Sequence, residues 1–238
     1  ATRCLPDLVK AGFAAIELMD ATSLRVAQRD PEATAELKVV SVVNHAALLV
    51  EFQEATAAEL ASKVSAVTPL LSTLPLSQPA QLASDPITRN QIWHIRKGLY
   101  AAVAGNRPSG TTALLEDIAV PVAELLTTCE ELIALLIKHG YTDSVIFGHA
   151  RDGNIHFLIN EEFENPVKMQ RYKLFTEEMV ELVLAHGGTL KAEHGTGRMM
   201  APFVRRQYGD ELYGVMWDIK RLIDPAAILN PGIILSEN

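Results

Sequence analysis

The sequence predicts an α+β domain: a mostly antiparallel sheet with helices packed on one face. Two observations carry this. Strand-like runs alternate with long helical stretches. One pair of apolar runs flanks Asp152-Gly153, a strong hairpin signal because a type I′ turn needs positive φ at both central residues. In addition, no internal repeat and no low-complexity linker divides the 238 residues, which favours one domain over two.

Phe13–Met19 reads as a buried strand, with a short helix from about Thr22. Ala46–Gln53 is a second strand. Thr56 and Glu59 have the spacing of a capping box, in which a hydroxyl and a carboxylate satisfy free N–H groups at a helix start. Leu74–Leu82 fits a third strand only at a sheet edge, because of Pro75 and Pro79. Asp85-Pro86 supplies an N-cap and a first-turn proline for a helix to about Ala104. The polar stretch from Asn106 to Thr112 reads as a loop, and Leu114–Val120 as a strand. Pro121 starts a helix that Gly140 stops. Asp143–His149 and Asn154–Asn160 are the arms of the hairpin. Asn165-Pro166 opens a helix that Gly187-Gly188 closes. Thr189–Glu193 reads as a short strand, and Asp210–Ile223 as a helix ended by Asp224-Pro225.

Composition narrows the function. The chain is 48% apolar and 21% charged, an ordinary globular balance, with a net charge of −8. An acidic surface argues against nucleic acid and against a membrane surface, since both are polyanionic. No apolar run is long enough to span a bilayer. The two cysteines, Cys4 and Cys129, lie far apart, outside any CxxC spacing. A disulfide framework or iron–sulfur site is not expected, and a reducing, cytoplasmic-type compartment is.

The hairpin carries the first chemical hint. With Asp152 and Gly153 at the turn, counting outward sets His149 opposite His156, on one face, with Cβ atoms about 4.5–5.5 Å apart. Two imidazoles so placed can share a metal ion; two unrelated histidines on a strand pair would give the same spacing. Glu193-His194-Gly195 offers a third ligand if the strand ends there, since adjacent strand residues otherwise point to opposite faces. Alone, it reads equally as a solvated loop end. Two imidazoles and a carboxylate suit zinc, with manganese or iron as alternatives.

These residues also resemble a known family. Phe147-Gly148-His149-Ala150-Arg151-Asp152-Gly153-Asn154-Ile155-His156 is similar to the GHxGDGNxH element of the FAD-linked oxidases, among them D-lactate and D-2-hydroxyglutarate dehydrogenases and the flavin subunit of glycolate oxidase. Lys191-Ala192-Glu193-His194-Gly195-Thr196-Gly197 resembles their EHGxG element. Lys220 through Asp224-Pro225 to Leu229-Asn230-Pro231-Gly232 resembles their closing K…DP…LNPG segment. Trp93-His94-Ile95-Arg96, Glu116-Asp117-Ile118-Ala119-Val120-Pro121 and, more weakly, Ala15-Ile16-Glu17-Leu18-Met19-Asp20 also match.

The resemblance implies that residues 1–238 are the C-terminal cap, a ferredoxin-like substrate and metal domain. The FAD-binding domain would lie N-terminal to residue 1 and be its partner; nothing in the chain resembles that domain's pyrophosphate loop. By resemblance His149, His156 and Glu193 are ligands of a divalent metal, zinc by donor type. His194 is the catalytic base, Arg96 grips the substrate carboxylate, and Asn230 lies in the tail returning toward the flavin. The implied reaction oxidises a D-2-hydroxy acid of the D-lactate kind, with the electron acceptor open. The parent protein is implied to be cytoplasmic, or peripheral to the inner membrane. Leu115 stands near the place where relatives specific for 2-hydroxyglutarate can carry lysine, which weakens that substrate. Arg151 replaces a common glycine and reads as a second anion group or as a solvated turn residue. A chain of this kind exposes the face that met its partner, with self-association as one outlet. The alternative class is a metal-binding module or metal-assisted hydrolase using the same His/His/Glu set.

Overall fold

The computed structural model describes residues 1–236 apart from Gln81 and Asn106. Its centre is a five-stranded sheet of β1 (Ala15–Met19), β2 (Ala47–Glu51), β3 (Thr112–Ala119), β4 (Val145–His149) and β5 (Asn154–Glu161), ordered β2-β1-β4-β5-β3. Every pairing is antiparallel, as expected.

Alternation within the strands builds two cores. Ile16 and Leu18 of β1, Ile146 of β4 and Ile155, Phe157 and Ile159 of β5 face one way. They meet α1 (Leu5–Lys10), α4 (Ala57–Thr73), α6 (Leu125–Lys138) and α7 (Pro166–Ala185). Met19, Val145, Phe147 and Leu158 face the other way, under α2 (Ala21–Ala27) and α5 (Pro86–Gly105). The larger helical layer thus covers one face. The second face is roofed where Ile95, Leu99 and Val103 of α5 pack, and the candidate site occupies its remaining part.

The helix signals hold. Thr56 and Glu59 form the capping box, and Asp85 caps α5 by accepting from Thr88 N at 2.8 Å. Asn165 accepts from the N–H groups of Val167 and Lys168. The helix expected from Asp210 is the second part of α9 (Val204–Ile223), whose chain kinks at Gly209 with φ 80°. Small helices without a clear sequence signal are α1, α3 (Ala35–Val39) and α8 (Gly197–Met200).

Three expectations change. The stretch from Leu74 to Leu82 is not a strand in its described part: Leu74 caps α4 and an irregular segment follows, with Gln81 outside the described residues. Thr189–Glu193 makes only a single bridge, Thr189 with Ala119. The hairpin is not a two-residue turn. Phe147, not His149, lies opposite His156, and His149 pairs with Glu17 of β1. The reason is that the start of β5 is committed to β3. Asn154 pairs with Ala119, and Gly153 O accepts from Val120 N at 3.0 Å. The chain closes the gap with a short 3₁₀ turn, Ala150–Asp152, and a left-handed Gly153.

Candidate metal centre and active site

His149 and His156 still share a face, because Phe147 and His149 are two residues apart on β4 and Phe147 is the partner of His156. Their ring centroids are 5.4 Å apart. Glu193 completes the set: its Oε1 is 3.2 Å from Nε2 of His149 and 3.2 Å from Nε2 of His156. Ligand atoms of the three residues lie within 4.8 Å of one another. A tetrahedral ion with bonds of about 2.0–2.2 Å has donor edges of roughly 3.3–3.6 Å. The donor set therefore fits a zinc-like ion in chemistry and in spacing.

His194 stands beside this set. Its ring stacks on that of His156, with centroids 4.8 Å apart and planes at 10°. Its Nε2 is 3.5 Å from Glu193 Oε1. His156 is buried, whereas the side chains of His149, His194 and Glu193 are partly open to solvent. A small substrate can therefore reach the last three.

Glu193 and His194 converge because their backbone is not a strand. Asp117 Oδ2 accepts three successive N–H groups, from Ala192 at 3.0 Å, Glu193 at 2.7 Å and His194 at 2.9 Å. Such a nest of amides around one carboxylate bends the chain and cancels strand alternation. On the other side of the sheet, Lys191 Nζ meets Glu116 Oε2 at 2.9 Å and fixes the start of the turn. Asp117 Oδ1 accepts from Asn154 Nδ2 at 2.7 Å and lies 3.3 Å from His156 Nδ1. Burial works to raise the Asp117 carboxyl. The contacts with His156, His194 N–H, Glu193 N–H and Asn154 outweigh it and hold the group well below the usual carboxylate range.

Glu17, buried on β1, plays a similar part for His149. Its Oε1 is 2.8 Å from His149 Nδ1, and this contact raises the His149 pKa above its ordinary value against the effect of burial. Oε2 of Glu17 accepts from Arg96 Nε at 2.9 Å and lies 2.8 Å from Arg96 Nη2. Arg96, expected to hold substrate, is thus buried and engaged along one edge by a protein carboxylate, with its guanidinium 5.1 Å from the Phe147 ring centroid.

Asn230 is not part of this cluster. It lies in an exposed tail with φ 46°, after Asp224 has accepted from the N–H groups of Ile228 and Leu229. Arg151 sits in the 3₁₀ turn, exposed, with Asp152 3.8 Å away.

Sequence reasoning quoted Glu17 and Asp117 only as parts of matching segments and gave them no role. A signal was available. A carboxylate inside an apolar strand such as Ala-Ile-Glu-Leu-Met is stable only if it is paired.

With this geometry in hand, comparison with known proteins gives a family. The family model described as "FAD linked oxidases, C-terminal domain" matches residues 1–234. The chain belongs to this family. Curated relatives of this FAD-linked oxidase domain include "Probable D-lactate dehydrogenase, mitochondrial" of Danio rerio, 34% identical over 64% of the chain and 30% of the relative. Glycolate oxidase subunit GlcD of Bacillus subtilis is 32% identical over 60% of the chain and 30% of the relative. D-2-hydroxyglutarate dehydrogenase of Pantoea ananatis is 28% identical over 98% of the chain and 24% of the relative. The domain spans less than a third of the length of these three relatives. Among solved structures, 4-ethylphenol oxidase from Gulosibacter chungangensis matches with a TM-score of 0.62 at 14% identity, over 98% of this chain and 52% of that one. At that identity the likeness is one of fold.

Proposed function

We propose that residues 1–238 form the substrate- and metal-binding half of a flavin-dependent dehydrogenase that oxidises a D-2-hydroxy acid, of the D-lactate kind, to the 2-oxo acid. The observation that carries this is the convergence of His149, His156 and Glu193, with His194 beside them and open to solvent. The names of the relatives support the substrate class: two are dehydrogenases of D-2-hydroxy acids and one is an oxidase subunit for glycolate. The free cysteines Cys4 and Cys129 fit a reducing compartment, cytoplasmic in this reading or at the periphery of an inner membrane.

The roles follow from the chemistry. The flavin, bound by another part of the protein with Asn230 reaching toward it, supplies the hydride acceptor. A divalent ion, zinc by donor type, would when bound supply Lewis acidity that makes the substrate hydroxyl easier to deprotonate. His149, His156 and Glu193 would hold that ion with two imidazoles and one carboxylate, a donor set common to catalytic divalent-ion sites. His194 takes the hydroxyl proton on a ring nitrogen; an imidazole suits this because its ordinary pKa lies near neutral pH. Arg96 uses Nε and Nη2 on Glu17. Its second edge, with Nη1, remains to take the substrate carboxylate by parallel hydrogen bonds.

The test separates base from ligand in the flavin-containing protein. His194→Ala should leave bound metal nearly unchanged while turnover falls about 10²–10⁴-fold. Glu193→Ala should lower metal content and turnover together. Bound metal and hydroxy-acid-dependent dye reduction are measured in parallel. If His194→Ala strips the metal and Glu193→Ala does not, the roles are reversed. If neither changes turnover, the constellation is not the active site.

A further inference from the structure

The buried pair Arg96–Glu17 lies behind His149, on the side away from Glu193. Burying a carboxylate and a guanidinium side by side is expensive unless their geometry does something specific. Here it fixes which atom of Glu17 faces the imidazole. Oε2 accepts from Arg96 Nε at 2.9 Å and lies 2.8 Å from the cationic Nη2, so Oε1 is left to face His149 Nδ1 at 2.8 Å. A carboxylate oxygen can only accept, so Nδ1 must carry the proton. In the neutral ring the proton on Nδ1 leaves Nε2 bare, and Nε2 is the atom aimed at Glu193 Oε1.

We infer that Glu17 is a positioning residue that sets the tautomer of His149, and that Arg96 is the clamp that keeps Glu17 in that orientation. The inference rests on the proposed metal role of His149 for its consequence, but not for its direct readout. Metal-ligating histidines commonly donate their second ring N–H to a carboxylate, which fixes tautomer and ring orientation. The Arg96 clamp also yields a sharp prediction for an isosteric change. In Glu17→Gln the side-chain oxygen must stay on the Arg96 donors, since an amide NH₂ there would face two N–H groups. The amide nitrogen is then turned toward His149 Nδ1 and donates to it. His149 must move its proton to Nε2, and a protonated Nε2 cannot ligate. Removing the clamp reverses this: in the double variant Arg96→Met, Glu17→Gln, the amide is free to turn its oxygen to His149.

The experiment is long-range ¹H–¹⁵N correlation on the imidazoles of the metal-free 238-residue chain, above the ordinary histidine range of pH. Protonated and bare ring nitrogens resonate far apart. The same samples are then titrated with zinc alone by calorimetry. Wild type should show His149 protonated at Nδ1. Glu17→Gln should show it protonated at Nε2 and bind zinc about 10–100-fold more weakly. The double variant should return the proton to Nδ1. A bare Nδ1 in wild type overturns the inference by itself, even if Glu17→Gln does not fold. An unchanged tautomer in folded Glu17→Gln also overturns it. If the tautomer flips as expected but zinc binding is unaltered or absent in wild type, Glu17 positions His149 and the metal role of His149 fails instead.

Discussion

Asp117 shows how much of the site hangs on single side chains. It accepts from the backbone of Ala192, Glu193 and His194 and from Asn154, so one carboxylate joins β3, the start of β5 and the turn that carries Glu193 and His194. In Asp117→Ala four donors lose their acceptor. Leaving buried donors without their acceptor typically costs about 1–3 kcal/mol. Urea unfolding should show a loss of that order, and zinc titration should show that the surviving folded fraction binds metal more weakly. A loss below about 1 kcal/mol, the net contribution of one ordinary hydrogen bond, would mean that the turn holds itself without Asp117. The convergence of His149, His156 and Glu193 was legible because histidines and a glutamate stand at recognisable spacings. Asp117 and Glu17 were less so: each acts on a residue far away in sequence, 77 positions to His194 and 132 to His149. A one-dimensional pattern gives their identity, an acid in an apolar strand, but not what they touch.

The hairpin is the element where sequence reasoning reached the right result by the wrong register. The Asp-Gly signal located the reversal, and period-two alternation put the histidines on one face. What it could not weigh was competition for β5 from β3, which takes Asn154 and Ile155 and forces β4 away toward β1. The signature of that competition is Gly153, with φ +69° and an added Cβ that would meet Val120 O at 1.9 Å. A left-handed non-glycine residue alone costs about 1–3 kcal/mol, and here the backbone of Val120 must move as well. Gly153→Ala should therefore lower the melting temperature and reduce zinc affinity together. A stable Gly153→Ala protein with normal zinc binding would mean that the turn tolerates a type of backbone it does not show here. The strand expected at Thr189–Glu193 failed for a related reason, because the amide of Leu190 goes to Gln207 and those of Ala192 and Glu193 go to Asp117, side chains rather than a neighbouring strand. Farther from the site, His186 at the end of α7 sits between Glu124 and Glu131, 3.0 Å from each, and the two carboxylates raise its pKa. A histidine whose folded pKa is raised stabilises fully below the unfolded value of about 6.5 and loses that contribution as pH rises through the folded value. The melting-temperature gap between wild type and His186→Gln should be widest below the unfolded value of about 6.5 and should narrow only as pH rises through the raised folded value. A gap that grows with pH would contradict the pairing.

On the scale of the whole molecule, the charge and burial patterns point in different directions. A net charge of −8 keeps the surface acidic, yet Leu212, Val215, Ile219, Leu222 and Ile223 form a helical stripe along α9, each about half exposed or more. Ile228, Leu229 and Ile234 extend it into the tail, which Tyr213 ties back by accepting from Ser236 N at 2.9 Å and donating to Ser236 O at 2.7 Å. Single exposed apolar residues are ordinary, but a continuous row with i, i+3, i+4, i+7 spacing is a surface built to be covered. The sequence predicts a broad apolar or mixed face around the histidines; α9 and the tail that carries Asn230 hold a further row of exposed large apolar side chains. We predict that the chain on its own covers this row with a second copy. Two α9 helices can bury the stripe against each other, because the period that lines up Leu212, Val215 and Ile219 is the same in both copies. Sedimentation velocity should show a dimer or larger species that shifts toward monomer as concentration falls. Ile219→Glu with Leu222→Glu should give a monomer at the same concentration, with the melting temperature nearly unchanged because both side chains are already exposed. If the double variant is monomeric but wild type is monomeric too, the stripe does not drive association between copies. If the double variant unfolds, these side chains support the fold from within the chain, and the exposure seen here does not describe their role.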